Sequence, residues 1–293
     1  MMESYISPRV LWAALLGLLL LVASGCPAEN MRVTKDIPYA DSGNADPNLV
    51  SLDVYAPESG ADCPVVIYVH GGGRRRGDKS NVNAKPGRFT AEGYVFVSLN
   101  YRLSPDVVHP VHVQDVANAI AWVHENIASH GGDAGKLFLL GHSAGAYLVA
   151  LVGVDERYLQ NAGKDLNILT GVVPLDTAAY DIPLRLWLSG SGMQDLIANA
   201  FGTDPEVHAD ASPVTHVAPE KDIPDFLLVY VASREIARIE AEGFEERLNE
   251  ANVPVEVYPA EGKNHMTLNR ELGLPDDPPT DKVLEFFNAL LAN

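Results

Sequence analysis

A serine between two glycines is the clearest chemical motif of the chain. The motif Gly141-His142-Ser143-Ala144-Gly145 follows an apolar run at residues 136–140 and precedes a helix-compatible stretch at residues 146–152. Glycines at the outer positions let a strand and a helix pass close together, and the sharp turn between them exposes the serine hydroxyl. The pattern predicts that Ser143 is a nucleophile at a strand-to-helix turn.

A second glycine motif, His70-Gly71-Gly72-Gly73, closes another apolar run at residues 65–69. Backbone N–H groups can approach a substrate closely where no side chain intervenes, and they then stabilise negative charge on its oxygen. We expect the N–H groups of Gly72 and Gly73 to serve in this way. Ala144, the residue after the serine, is expected to provide another such N–H group.

A serine hydroxyl is a weak nucleophile near neutral pH, so it needs a base within hydrogen-bond reach and a carboxylate that orients the base. His265 follows a predicted strand at residues 253–258 and lies late in the chain, where the base is expected. We therefore predict His265 as the base. The remaining histidines are interpreted as surface or structural side chains; those weighed against His265 are His109, His112, His124, His130, His208 and His216.

The acid is harder to assign. Glu235 is the expected acid because it is the only carboxylate close to the end of a predicted strand at residues 226–231. It could equally pair with Arg238 one helical turn later. Asp176 and Asp181, which follow the preceding predicted strand, are the alternatives.

Three consecutive arginines, Arg74 to Arg76, come directly after the glycine motif. The favoured interpretation is a basic loop in contact with solvent. A site for an anionic group of a substrate is the alternative.

The order of the predicted elements indicates the fold class. Apolar and polar residues alternate near residues 31–37 and 49–55, and this pattern predicts two strands of an antiparallel hairpin. Strongly apolar strands then alternate with helices to the end of the chain, which is typical of an α/β protein with a doubly wound, mostly parallel sheet. Residues 181–224 interrupt this alternation and predict a small helical cap, so we expect one domain over residues 26–293.

The net charge is strongly negative, at −18, and it restricts the partners. Nucleic acid and anionic membrane surfaces would repel such a chain. The chemistry outlined above needs no cofactor and no metal.

The first residues resemble an export signal. Residues 10–23 are almost wholly apolar and are too short to span a bilayer comfortably, and small residues precede Cys26. We expect residues 1–25 to be a signal peptide of the lipoprotein type and the mature chain to begin at a lipid-bearing Cys26. The expected location is the bacterial cell envelope, with a periplasmic or secreted protein as the alternative.

Seven short segments of the chain carry a family resemblance. They are residues 53–57 (DVYAP), 70–73 (HGGG), 101–105 (YRLSP), 109–110 (HP), 131–133 (GGD), 141–145 (GHSAG) and 262–265 (GKNH). Together they resemble the α/β-hydrolase superfamily, and within it the carboxylesterases and acyl-esterases of the hormone-sensitive-lipase or bacterial feruloyl-esterase-like (BD-FAE-like) type. The resemblance begins at about Val50 and extends to the C-terminus.

The resemblance implies a serine esterase that acts through an acyl-enzyme on short acyl or aryl esters, including esters attached to polysaccharide. Amide cleavage, as in the related arylformamidases, is one alternative. The unusual sequence after residue 231 suggests another, a non-catalytic binding protein with a hydrolase fold that has lost its acid.

Overall fold

The computed structural model describes residues 31–292 of the chain. The expected signal peptide and Cys26 lie outside these residues. Within residues 31–292, no helix combines the length and the apolar character needed to cross a bilayer.

A single eight-stranded sheet forms the centre of the described chain, with the spatial order β1-β2-β4-β3-β5-β6-β7-β8. Strand β2 pairs antiparallel with β1 and with β4, whereas all later neighbours pair in parallel. The predicted doubly wound sheet with an antiparallel start is confirmed. The strands are β1 (Met31–Pro38), β2 (Ser51–Pro57), β3 (Cys63–Val69), β4 (Val95–Leu99), β5 (Gly132–His142), β6 (Leu169–Leu175), β7 (Asp225–Val231) and β8 (Val255–Ala260).

Helices cover both faces of this sheet, as the apolar runs of the central strands require. They are α1 (Lys85–Ala91), α2 (Val111–Asn126), α3 (Ala144–Val154), α4 (Glu156–Asn161), α5 (Ile182–Trp187), α6 (Ser191–Phe201), α7 (Pro205–Asp210), α8 (Pro213–His216), α9 (Glu235–Glu250), α10 (His265–Glu271) and α11 (Pro278–Leu291).

Alternating side chains of β3 divide the core into two parts. Val65 and Ile67 pack in a cluster with residues of α2, α3 and α9, whereas Val66 and Tyr68 pack in a cluster with residues of α1 and α11. Both faces of the strand are therefore buried. The site residues at its end have a rigid support.

The opening hairpin exists, but its burial differs from the sequence expectation of two half-buried strands. Strand β1 is exposed along almost its whole length, while β2 is buried at every position. The physical reason is position in the sheet. Strand β1 pairs on one side only, whereas β2 lies between β1 and β4.

Four short helices, α5 to α8, lie between β6 and β7 and form the helical insertion expected there. Their packing contributes to the main core, in which Ile182, Ile197 and Phe201 are buried. The side chains of Met193 and Leu196 from α6 reach the cavity described below. The cap thus forms part of the wall of that cavity.

Candidate active site

Ser143 lies at the turn between β5 and α3, with a positive φ of 56° that side-chain-bearing residues seldom adopt. Its N–H donates to the carbonyl oxygen of Leu175 at 3.0 Å, which ties the turn to the end of β6. Gly145 is required by close approach, because a Cβ atom there would lie 2.1 Å from the carbonyl oxygen of Val69. The fold therefore holds Ser143 in a strained and fixed turn.

His265 joins Ser143 to a carboxylate. Its Nε2 lies 3.0 Å from Ser143 Oγ, and its Nδ1 lies 2.6 Å from Oδ2 of Asp176. With a proton on Nδ1, the imidazole donates to Asp176 and leaves Nε2 able to accept the hydroxyl proton. Asn264 caps α10 through its side chain and so fixes His265 as the first residue of that helix.

Glu235 does not lie beside His265, contrary to the sequence expectation. Its carboxylate is exposed and pairs with Arg238, one turn further along α9, at 2.6 Å. The reason is that Glu235 begins α9, where its side chain points to solvent and has a basic neighbour three residues on. Asp181, the other alternative, accepts a hydrogen bond from the N–H of Leu184 and caps α5.

Asp176 reaches the histidine because it comes directly after β6. Its N–H donates to the carbonyl oxygen of Val229 at 2.7 Å, and its Oδ1 accepts from the N–H of Val231 at 3.0 Å. These two bonds fasten the carboxylate across the carboxyl end of β7. Asp176 therefore occupies the space where an acid following β7 was expected.

The glycine motif after β3 lies against the nucleophile. A Cβ atom on Gly71 would come within 3.1 Å of Ser143 Cβ. Gly72 has a φ of 120°, and a Cβ atom there would lie 1.9 Å from the carbonyl oxygen of Arg76, so only glycine fits. In the described part of the chain, the N–H groups of Gly72 and Gly73 donate to no protein acceptor.

Ala144 begins α3, so its N–H has no partner within the helix. Together with Gly72, Gly73, Ser143 and His265, it lines a cavity of about 1210 Å³. The predicted nucleophile, base and N–H donors thus face one space. A substrate carbonyl held there would have donors and a nucleophile beside it.

A family model described as BD-FAE matches residues 52–240, which is more than half of the chain. The chain belongs to the BD-FAE family. The matched region includes the glycine motif, the serine turn and Asp176, and it ends before His265.

Curated relatives of this BD-FAE chain include three proteins of Mycobacterium tuberculosis. Esterase LipQ is 41% identical over 42% of the chain and 29% of its own length. Esterase LipC is 31% identical over 63% of the chain and 48% of its own length. Probable carboxylic ester hydrolase LipM is 28% identical over 76% of the chain and 53% of its own length. The chain therefore spans about a third to a half of the length of these relatives.

Solved structures share the fold at low sequence identity. Esterase B from Lactobacillus rhamnosis superposes with a TM-score of 0.74 at 23% identity, covering 90% of this chain and 87% of that protein. A truncated carbohydrate esterase from gut microbiota gives a TM-score of 0.74 at 18% identity, covering 89% of this chain and 97% of that one. These superpositions confirm the α/β-hydrolase fold.

His142, which lies between Gly141 and Ser143 in the serine motif, contacts His265. Sequence reasoning missed this contact. Its Nε2 lies 2.7 Å from the carbonyl oxygen of His265, and the two rings lie 4.6 Å apart. Burial lowers the pKa of His142 to about 3, so the ring is neutral. A neutral Nε2–H can donate to that carbonyl and hold the loop that positions His265.

Arg234 is the second residue that sequence reasoning missed. Its Nη1 donates to Oδ2 of Asp176 and lies 3.0 Å from Nδ1 of His265. Burial raises the pKa of Asp176, but the His265 hydrogen bond, the Arg234 charge and the Val231 N–H outweigh it, and the pKa lies below its ordinary value. Only the position of Arg234 just after β7 could have indicated this contact.

Replacing Arg234 by methionine removes one of the groups that lower this pKa. We expect the part of the folding stability that depends on ionised Asp176 to be smaller and to be lost by a higher pH, because Asp176 then takes up its proton at higher pH. The ionised carboxylate also stabilises the wild-type fold above the ordinary aspartate range, and that contribution is lost as pH falls through the lowered pKa. Profiles of the free energy of unfolding against pH, for Arg234→Met and for the surface control Arg238→Met, would measure the effect. An Arg234→Met profile that superposes on the wild-type profile would contradict it.

Arg74 does not belong to a solvent-exposed loop, contrary to the favoured interpretation. It is buried, and its guanidinium carbon lies 4.6 Å from the ring centre of Phe201 and 5.2 Å from that of Tyr147. The aromatic faces attract the cation and replace water around it. Arg75 and Arg76 are exposed as expected.

Three of the other histidines make structural contacts. His112 Nε2 lies 3.1 Å from Ser104 Oγ, and His208 Nε2 lies 2.9 Å from the carbonyl oxygen of Gly202. His216 Nε2 lies 2.7 Å from the carbonyl oxygen of Asp210. None of these three histidines lines the cavity in front of Ser143.

Proposed function

We propose that this chain is a serine carboxylic-ester hydrolase that acts through an acyl-enzyme. The observation that carries the proposal is the hydrogen-bonded series Ser143, His265 and Asp176, which opens into a cavity beside free N–H donors. The names of the relatives LipQ, LipC and LipM support ester hydrolysis as the reaction class.

In the first half of the reaction, Ser143 Oγ attacks the ester carbonyl carbon while His265 Nε2 takes the hydroxyl proton. The carbonyl electrons move onto its oxygen, where the N–H groups of Gly72, Gly73 and Ala144 stabilise the negative charge. Asp176 stabilises the imidazolium that forms. The tetrahedral species then collapses, the ester C–O bond breaks, and His265 returns the proton to the departing alcohol.

In the second half, a water molecule replaces the alcohol. His265 takes a proton from the water as its oxygen attacks the acyl carbon, and the same N–H groups stabilise the new oxyanion. Collapse breaks the bond to Ser143 Oγ, which regains its proton from His265. The products are a carboxylic acid and the free enzyme.

The substrates proposed are short acyl or aryl esters, including esters attached to polysaccharide. The cavity in front of Ser143 has a volume of about 1210 Å³, which leaves room for a bulky alcohol as well as a short acyl group. A carbohydrate esterase is also among the solved structures that share the fold.

Formamide cleavage is a second candidate. Kynurenine formamidase of Meyerozyma guilliermondii is 29% identical over 60% of this chain and 65% of its own length. The same nucleophile, base and oxyanion donors can cleave an amide, provided that His265 protonates the departing nitrogen.

The non-catalytic alternative rested on a missing acid after β7. Asp176 lies at 2.6 Å from His265 and supplies a carboxylate at that place, so the reason for this alternative no longer holds.

Hydrolysis of 4-nitrophenyl esters with acyl chains of two to about ten carbons tests the reaction class. Acetylated and feruloylated oligosaccharides and an aryl formamide belong in the same panel. We expect turnover that is fastest on short acyl chains. Turnover of the formamide alone would favour the second candidate, and no turnover of any compound would contradict both.

We also propose that the chain is exported and that Cys26 carries lipid, on the basis of the apolar segment that precedes it. Mass spectrometry of protein from its native membrane fraction should show an acylated Cys26 at the N-terminus. Detection of a peptide that starts before residue 23 would contradict this proposal.

A further inference from the structure

The cavity in front of Ser143 is basic although the chain as a whole is strongly acidic. The net charge of the chain is −18, yet the described residues that line the cavity include six arginines and only two carboxylates. Such a local excess of positive charge attracts anions into the cavity. The arginines are Arg74, Arg75, Arg76, Arg185, Arg234 and Arg270, and the carboxylates are Asp78 and Asp176.

In four of the six arginines, water or a carboxylate satisfies the hydrogen-bonding groups of the guanidinium. Arg75, Arg76 and Arg270 are exposed, so water can satisfy their guanidinium groups. Arg234 pairs with Asp176.

The fifth, Arg74, is buried against the aromatic rings of Tyr147 and Phe201. The two rings take the place of a carboxylate beside its charge, although its Nε is buried without a hydrogen-bond partner.

Arg185, on α5 of the cap, is different. It is only 7% exposed and lines the cavity, but its side chain makes no hydrogen bond or ion pair within residues 31–292. Burial lowers the pKa of Arg185, and the charge of Arg234 lowers it further, against the opposing effect of Glu240. Its guanidinium nitrogens are not fully enclosed by the protein, so they can donate to an anion in the cavity through charge-assisted hydrogen bonds.

Glu240 does not supply the missing acceptor. Its Oε2 accepts hydrogen bonds from the N–H groups of Tyr180 and Asp181, at 2.8 and 2.9 Å, and its Oε1 is buried without a partner. Burial raises the pKa of Glu240 to about 7. The carboxyl group is therefore only partly charged near neutral pH, and it holds the start of the cap.

We propose that Arg185 forms an anion subsite of the cavity and that the preferred substrates are esters that also carry a free carboxylate. This inference rests on the proposed esterase function. A carboxylate matches the planar guanidinium through two parallel hydrogen bonds, which a neutral group of the same size cannot form. Arg185 is thus a specificity residue, whereas the bond-breaking steps belong to Ser143 and its partners.

Two matched substrate pairs test the subsite. The acyl-side pair is 4-nitrophenyl hydrogen glutarate against 4-nitrophenyl pentanoate, and the alcohol-side pair is 4-acetoxybenzoate against 4-acetoxybenzamide. In each pair one member has a carboxylate and the other is neutral. We expect the wild type to prefer the acidic member, in kcat/KM, in at least one pair.

Replacing Arg185 by glutamine should lower kcat/KM for the preferred acidic ester by about 10- to 100-fold, the range expected for hydrogen bonds to a charged group. The neutral partner should change by less than about threefold. Arg185→Lys keeps the charge and should retain part of the preference. Arg247→Gln removes an equal charge from the surface of α9, where Arg247 pairs with Glu250, and should leave the preference intact.

A wild type that hydrolyses neutral esters without favouring either acidic ester would overturn the subsite and leave the esterase proposal standing. An equal loss on acidic and neutral esters in both Arg185 variants would also overturn it, since that result indicates a structural role beside Glu240. Failure of the wild type on every ester would instead contradict the esterase function itself.

Discussion

Ser143→Ala is expected to lower kcat for 4-nitrophenyl butyrate by about 10⁴- to 10⁶-fold. The substitution removes the proposed nucleophile and leaves the donors of Gly72, Gly73 and Ala144 in place. A weak residual rate from these donors is therefore expected. Steady-state kinetics, with a thermal unfolding curve to show that the variant is folded, would measure the effect.

Ser104 offers a matched control, because it makes the other serine–histidine contact described above. Its Oγ lies 3.1 Å from Nε2 of His112, and no carboxylate of the described chain bonds to that ring. Ser104→Ala should change kcat by less than about tenfold. Near wild-type turnover by purified Ser143→Ala would contradict the proposed nucleophile.

Asp176→Asn is expected to lower kcat by about 10⁴-fold, the effect of the corresponding change in a protease triad. An amide in place of the carboxylate cannot stabilise the imidazolium and can hold His265 in the wrong tautomer. The KM should change far less, because Asp176 contacts the histidine rather than the bond that is cleaved.

Glu235→Gln is the control for the acid, since its carboxylate is exposed and pairs with Arg238. It should leave kcat within about twofold of wild type. A large loss in Glu235→Gln together with a small loss in Asp176→Asn would show that the acid comes from α9 and contradict the arrangement seen here.

The serine turn and the glycine motif could be predicted from sequence because their residue types are imposed by local sterics. Gly145 is needed because a Cβ atom there would overlap the carbonyl of Val69 at the end of β3. Gly72 is needed because a Cβ atom there would overlap the carbonyl of Arg76. His265 could be predicted as the base because it follows a predicted strand and lies late in the chain. Such local constraints leave a readable pattern in the chain.

The carboxylate beside His265 could not be predicted from such local constraints. Strands β6 and β7 are adjacent and parallel, with Leu175 opposite Val229, so residues after either strand reach the same edge of the sheet. Asp176 and Glu235 were therefore both plausible by chain position. The outcome depends on side-chain direction, because Asp176 is fastened to Val231 while Glu235 begins a helix and points to solvent.

The burial of individual side chains could not be predicted from the sequence pattern either. Arg74 follows the glycine motif with two exposed arginines, and nothing local distinguishes it from them. The cap brings Phe201 over its guanidinium, which is a contact across more than a hundred residues. Long-range packing of this kind leaves no periodic signal.

Covalent labelling tests the central claim most directly. A 4-nitrophenyl alkylphosphonate should react once with the wild-type protein, release nitrophenolate and abolish ester hydrolysis, because its phosphorus resembles the tetrahedral species proposed to form at Ser143. Peptide mass spectrometry is expected to place the phosphonyl group on Ser143, and Ser143→Ala should remain unlabelled. A protein that hydrolyses esters but carries no adduct at Ser143 would contradict the account.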